Sequence, residues 1–224
     1  MYTWVVGVSF DMPMISSPVN VSWSPDSFSE EGLYVLLKGK TIDGKILIAD
    51  MRSVTSIDVF NASQVQYLTI CWIVNPNYEI ALNSGWNLIS YPCIPVITPE
   101  PLSEWRAYAY QDGYYQTIQS IVHGKGYWVF SKEPDILSIT GIPLQSLSTT
   151  LTPGWHLMGS LSEASIPKSN PEQCIERIEQ WDGNNYIHTE TILPGTAFWV
   201  KIITDCRFSL VPVNSANEEK IREL

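Results

Sequence analysis

Two stretches of this chain are written twice. Leu82-Asn83-Ser84-Gly85-Trp86-Asn87-Leu88-Ile89 returns 69 residues later as Leu151-Thr152-Pro153-Gly154-Trp155-His156-Leu157-Met158. Gly124-Lys125-Gly126-Tyr127-Trp128-Val129 returns 71 residues later as Gly195-Thr196-Ala197-Phe198-Trp199-Val200. At that second offset Tyr110 matches Trp181, Tyr115 matches Tyr186, Ile121 matches Ile192 and Leu137 matches Phe208. Self-similarity at a near-fixed period constrains architecture strongly, because each copy has to be one supersecondary unit. Aromatic, aliphatic and glycine residues recur; acids, bases and nucleophiles do not. The pattern predicts a scaffold with no catalytic residues, not an enzyme.

Elsewhere the periodicity is that of strands. In Val19-Asn20-Val21-Ser22-Trp23 the apolar residues alternate onto one face. Turn signals such as Ser24-Pro25-Asp26 and Asp43-Gly44 separate such runs. The predicted fold class is all-β. An immunoglobulin-like β-sandwich is expected over residues 1–76, from short strands at about ten-residue spacing. Val74-Asn75-Pro76-Asn77 breaks the pattern and marks the domain boundary. A pseudo-twofold duplicated β domain follows over 78–213, with repeat one at 82–141 and repeat two at 151–211. Each repeat is read as five strands plus one short helical turn, at 99–105 in the first copy and 171–176 in the second. In the second, Asn170 is the expected cap and Pro171 the first helical residue. One copy is too small to bury a core, so the pair is expected to pack as one domain. Residues 214–224 form a polar tail.

A formal net charge of −10 removes the basic stripe that nucleic acid or an anionic membrane surface would need. No apolar run reaches the roughly 18 residues of a membrane span. The first residues read as a strand rather than a secretory signal, so a removed signal or a piece of a longer protein is expected. Cys71, Cys93, Cys174 and Cys206 show no zinc or redox spacing, and no metal or cofactor is expected. Cys174 with Cys206, Cys71 with Cys93, and four buried thiols all stay open as pairings.

The candidates for chemistry reduce to structural roles. His123, His156 and His188 occupy three different repeat positions. Asp112 and Asp182 resemble a glycosidase pair, but each precedes Gly in a hairpin turn, where backbone geometry alone selects that dipeptide. Gly124-Lys125-Gly126 leads into a strand, not a helix N-terminus, and reads as a tight turn whose small third residue admits a close neighbour. Trp86, Trp128, Trp155 and Trp199 repeat and are expected in the core. Trp105, Tyr108, Tyr114 and Tyr115 are the expected ligand or partner contacts, because Tyr114 and Tyr115 adjoin in one strand and their rings point to opposite faces.

Gly85-Trp86-Asn87-Leu88-Ile89-Ser90-Tyr91-Pro92 followed by Gly124-Lys125-Gly126-Tyr127-Trp128-Val129 resembles tandem β-repeat modules of bacterial secreted and cell-surface proteins. Such modules stand beside immunoglobulin-like or fibronectin type III modules. Val21-Ser22-Trp23-Ser24-Pro25 and Asp50-Met51-Arg52-Ser53 are similar to that company. The second copy departs with His156 for Asn87, Gly159 for Ser90, and Thr196-Ala197 for Lys125-Gly126. The resemblance implies an extracellular or cell-surface, non-catalytic structural or interaction module. Its partners would be other protein domains or subunits of a surface assembly. A carbohydrate-binding module using exposed tyrosines, with polysaccharide as partner, is the alternative.

Overall fold

The computed structural model describes residues 1–9, 18–42, 44–59, 65–96 and 106–213. The helical turn expected at 99–105, Trp105 and the tail lie outside them. The described chain is all-β, built from several small antiparallel sheets, and divides into two compact units, Met1–Pro76 and Asn77–Leu224.

The first unit contains β1 (Tyr2–Ser9), β2 (Val19–Ser22), β3 (Leu33–Lys38), β4 (Lys45–Ile48), β5 (Ser56–Val59) and β6 (Val65–Ile73). One sheet has the order β1-β6-β3-β4, and β2 pairs with β5 in a second. Tyr34, Leu36, Met51, Val59 and Leu68 form its buried core, with Val21 and Trp23 packed on it. The alternation in β2 thus puts Val21 on the core side. Trp23 Nε1 donates to the Met51 carbonyl at 2.8 Å, which satisfies the one polar atom of that ring. Asp50 caps a 3-10 turn over Met51–Ser53 by accepting from the Arg52 backbone N–H. The Arg52 guanidinium also donates to the Ser29, Glu30 and Gly32 carbonyls, tying two loops together. Burial pushes the Asp50 carboxyl up, but the hydrogen bonds from Arg52 outweigh it and hold the acid below its ordinary range.

The second unit begins with β7 (Asn77–Leu82), β8 (Gly85–Ile89), β9 (Cys93–Pro95), β10 (Arg106–Gln111), β11 (Tyr114–Thr117), β12 (Tyr127–Ser131) and β13 (Asp135–Pro143). It continues with β14 (Leu147–Leu151), β15 (Gly154–Gly159), β16 (Ser165–Asn170), β17 (Ile175–Trp181), β18 (Tyr186–His188), β19 (Ala197–Ile202) and β20 (Cys206–Pro212). Four-stranded sheets have the orders β11-β10-β12-β8 and β18-β17-β19-β15. Three-stranded sheets have the orders β7-β13-β9 and β14-β20-β16. Residues 77–143 and 147–212 therefore use the same strand order, strand for strand. Each half is richer than the five strands expected. The additions, β7 and β9 in the first and β14 and β16 in the second, all lie at sheet edges. Pro167 in β16 is tolerated because that strand lies at a sheet edge.

Each half has its own core. The first centres on Ile80, Tyr91, Cys93, Val129 and Ile139. The second centres on Leu161, Ile192, Phe198, Val200 and Phe208. The helical turn expected at 171–176 is a single 3-10 turn over Glu172–Cys174. Pro171 stands outside it with an extended backbone (ψ 154°) and caps rather than begins the turn. Cys174 and Cys206 form a disulfide with Cα atoms 6.1 Å apart. The pairing of Cys71 with Cys93 is not formed: both are buried free thiols, and desolvation pushes them up to about 11 and about 12.

The halves meet along the openings of the doubled motifs. Ser90 N donates to Gly195 O at 3.0 Å, and Gly159 N donates to Gly124 O at 3.1 Å. Isolated bridges join Ile89 to Thr196 and Lys125 to Met158. Gly126 is required here, since a Cβ would lie 2.7 Å from Ala197 Cβ and 2.8 Å from Leu157 Cγ. At Gly159 a Cβ would lie 2.9 Å from the Lys125 backbone nitrogen and oxygen. Ser90 Oγ, fully buried, donates to the Thr196 carbonyl and accepts from Ser160 N.

Candidate functional site

Strand alternation gives each four-stranded sheet two faces. In β8, Asn87 and Ile89 turn to the core of their half, while Trp86 and Leu88 turn outward. In β12, Tyr127 and Val129 face that core, and Trp128 faces away. The outward faces of the two halves share a small cluster: buried Leu88, Leu157, Ala197 and Trp199, with Tyr110, Trp128, Trp155 and Trp181 packed against it. The repeated tryptophans therefore line the face between the halves instead of filling the cores. Trp199 alone of the four is buried, and Trp86 is 44% exposed. Repetition marked them correctly as structural positions, but each sheet has a second covered face that the pattern does not reveal.

A cleft of about 500 Å³ opens on this face, lined by Trp86, Tyr108, Tyr115, Trp128, Trp181 and Tyr186. A second cavity, about 290 Å³, is lined by Tyr110, Tyr115, Trp155, Glu179, Tyr186 and Trp199. The two share Tyr115 and Tyr186. Matched through the sequence offsets, the second lining is the first with the halves exchanged: Trp86 becomes Trp155, Trp128 becomes Trp199, Tyr115 becomes Tyr186, and Trp181 becomes Tyr110. One position changes character, Tyr108 becoming Glu179.

Ring geometry follows the same exchange. Trp86 and Trp128 stand 6.3 Å apart at 88°, and Trp155 and Trp199 stand 6.2 Å apart at 89°. Tyr110 to Tyr115 is 5.4 Å at 65°, and Trp181 to Tyr186 is 5.3 Å at 65°. Across the halves, Trp128 meets Trp181 at 5.4 Å, and Trp199 meets Tyr110 at 4.7 Å, both edge-to-face. Edge-to-face pairs place the positive ring rim on a negative face and fix the rings without a hydrogen bond. Desolvation raises the Tyr186 hydroxyl above its ordinary range, so it stays protonated and can donate. Lys201 Nζ lies 5.7 Å over the Trp155 ring, and Arg177 Nη1 is 3.1 Å from Glu179 Oε1.

Of the tyrosines expected to make contacts, Tyr108 and Tyr115 line the cleft. Tyr114, 73% exposed, alternates to the other face of β11 and lines neither cavity. Trp105 lies outside the described residues. The contributors not expected are Trp86, Trp128, Trp181 and Tyr186. The pairing of Tyr115 with Tyr186 and of Tyr110 with Trp181 in the repeat held the signal for two of them.

Asp112 takes a left-handed backbone (φ 53°) before Gly113 in its turn. Asp182 Oδ1 accepts from the Asn185 and Asn184 backbone N–H groups, which stabilise the carboxylate and hold its pKa below the ordinary carboxylate range. A general acid needs the opposite shift. Asn87 accepts from Asn83 N and donates to Asn83 O, closing the turn before β8. His156, at the matching place, donates from Nε2 to Thr152 O at 2.7 Å and closes the same turn. Among the described residues no group of three or more His, Cys, Asp or Glu is placed to hold a metal, and no helix is long and apolar enough to cross a membrane.

Comparison with protein-family models finds no matching family, and neither curated proteins nor solved structures give a significant match, so function is read from the geometry of the cleft.

Proposed function

We propose that the chain is a non-catalytic binding module of an extracellular or cell-surface protein, in which an immunoglobulin-like sandwich precedes a pseudo-twofold duplication. The cleft ringed by Trp86, Tyr108, Tyr115, Trp128, Trp181 and Tyr186 carries this reading. A large exposed aromatic surface is costly to leave wet, and aromatic-rich concavities of this size are where partners anchor. The equal strand orders and the exchanged ring contacts support the duplication. The two packed sheets of the first unit support the sandwich. The Cys174–Cys206 disulfide supports an oxidising compartment.

Labelling intact producing cells with an antibody to the chain tests the location: signal before lysis is expected, and signal only after lysis contradicts it. Attachment of the purified chain to cell-envelope or matrix material tests the binding. Trp86→Ala should abolish attachment while costing about 1–2 kcal/mol of stability, since its ring packs on Tyr108, Trp128 and Phe130; undiminished attachment contradicts the cleft as the site. Carbohydrate is a second reading, favoured by Tyr108 and Tyr115 in the cleft. It requires that soluble polysaccharides quench tryptophan fluorescence and that Tyr115→Ala abolish the quenching.

A further inference from the structure

We propose that the ligand of the cleft is an extended, proline-rich polypeptide segment carrying a basic residue at one end, lying across both cavities. The inference rests on the binding reading above and names its ligand class. Three observations carry it.

The first is the chemistry of the lining. The larger cavity presents ring faces and edges, tyrosine hydroxyls and indole groups, with no carboxylate or amide side chain. Sugars bring many donors as well as acceptors and need both answered. A proline-rich segment brings carbonyl acceptors, lacks the N–H at each proline, and packs flat rings on aromatic ridges. Its polyproline II conformation is already populated when free, so little ordering entropy opposes docking.

The second is shape. The two cavities share Tyr115 and Tyr186, so a ligand long enough to pass these two rings touches both. A compact cation would fill one cavity only; an extended chain uses both.

The third is symmetry and the place where it fails. Exchanging the halves maps one cavity onto the other, so the track looks alike from either end. A three-residue-per-turn helix without internal hydrogen bonds also presents similar relief in both directions. Such a ligand fits a two-fold track in either orientation unless one end differs. Here one end does differ: Glu179 replaces Tyr108. Glu179 is half-buried and holds one contact to the exposed Arg177, whose side chain can turn to water when a ligand cation arrives. The net charge of −10 favours approach of a basic segment. Glu179 therefore sets the direction of the ligand.

The test is tryptophan fluorescence and calorimetric titration of the full chain with three probes: a decaproline, the same peptide with arginine at one end, and a soluble polysaccharide. The arginine peptide should bind, and decaproline should bind about tenfold more weakly. Glu179→Gln should remove that tenfold difference by weakening the arginine peptide toward the level of decaproline. Tyr115→Ala, at an exposed position, should weaken both peptides by at least about tenfold. No binding of either peptide at millimolar concentration overturns the proposal, as does equal binding of the two peptides to the unaltered chain. If the peptides fail while the polysaccharide binds and Trp86→Ala abolishes it, the peptide inference falls and the cleft stands as a binding site. If all three probes fail and Trp86→Ala leaves attachment to envelope material unaltered, the cleft reading falls too.

Discussion

Residues 77–143 and 147–212 run through the same strand order but are held together differently. The second half carries the Cys174–Cys206 disulfide; at offset 71 the first half has Asp135 where Cys206 stands. The first half keeps Tyr91 and Cys93 in its core, where the second has Ser160 and Ser162 at offset 69. Asn87 closes one opening turn and His156 the other. The rings facing the opposite half agree in spacing and angle. The face that meets the other half is thus kept alike, while each interior is stabilised by its own means. That is what an interface between two like surfaces requires, since every contact on it is made twice.

Four interventions probe how each half is held. Removing the disulfide acts on the second half alone. With Cys174 and Cys206 separated by 32 residues, Cys174→Ala with Cys206→Ala should cost about 3–4 kcal/mol by loop closure in the unfolded chain. The Trp199 indole NMR signal should then melt in urea before that of Trp128; unchanged melting of Trp199 counts against the bridge.

Alkali acts on the first half. Burial pushes Cys93 from 9.0 up to about 12, and Tyr91 from 10.0 up to about 12, chiefly by desolvation. The folded state holds these protons more tightly than the unfolded one. Their stabilisation is complete below about pH 9 and is lost as the pH rises toward 12. Between pH 9 and 11 the urea midpoint reported by Trp128 should fall by the equivalent of about 2–3 kcal/mol. Cys93→Ala should flatten that slope, and an equally steep slope in the variant contradicts the assignment.

Gly159→Ala drives a Cβ against the Lys125 backbone, which cannot turn aside as a side chain can. A loss of about 2 kcal/mol is expected, together with altered Trp128 and Trp199 signals; a neutral variant shows that the halves do not approach as closely as described. His156→Asn is the mildest change. An Asn there can make the turn-closing bonds of Asn87, so stability should move by less than about 0.5 kcal/mol, whereas His156→Ala should cost about 1 kcal/mol.

Much of the strand layout was legible, because alternation and turn residues are local signals. Val19–Trp23 was read one residue longer than β2, and β12 and β19 fell where the aromatic-Trp-Val runs stood. The strands missed all lie at sheet edges; Ser165–Asn170 carries a proline and little apolar surface, whereas Asn77–Leu82 does alternate, with Ile80 and Leu82 buried, and stands directly after the Asn75-Pro76 break that masks it. The cleft was half legible. Tyr108 and Tyr115 stood out as aromatics in a crowded stretch. Repetition alone places Trp86 and Trp128 in the core, because it marks structural importance without saying which face of a strand is involved. Only the meeting of the halves, through Leu88 and Leu157, turns those positions into cleft walls.

The cleft is built on two cross-half ring contacts existing together: Trp128 with Trp181 at 5.4 Å and Tyr110 with Trp199 at 4.7 Å. Nuclear Overhauser measurements on the full 224-residue chain read both directly. Strong ring-to-ring effects are expected for both pairs; finding one pair and not the other, or neither, in a folded sample would contradict the exchanged contacts from which the cleft is built.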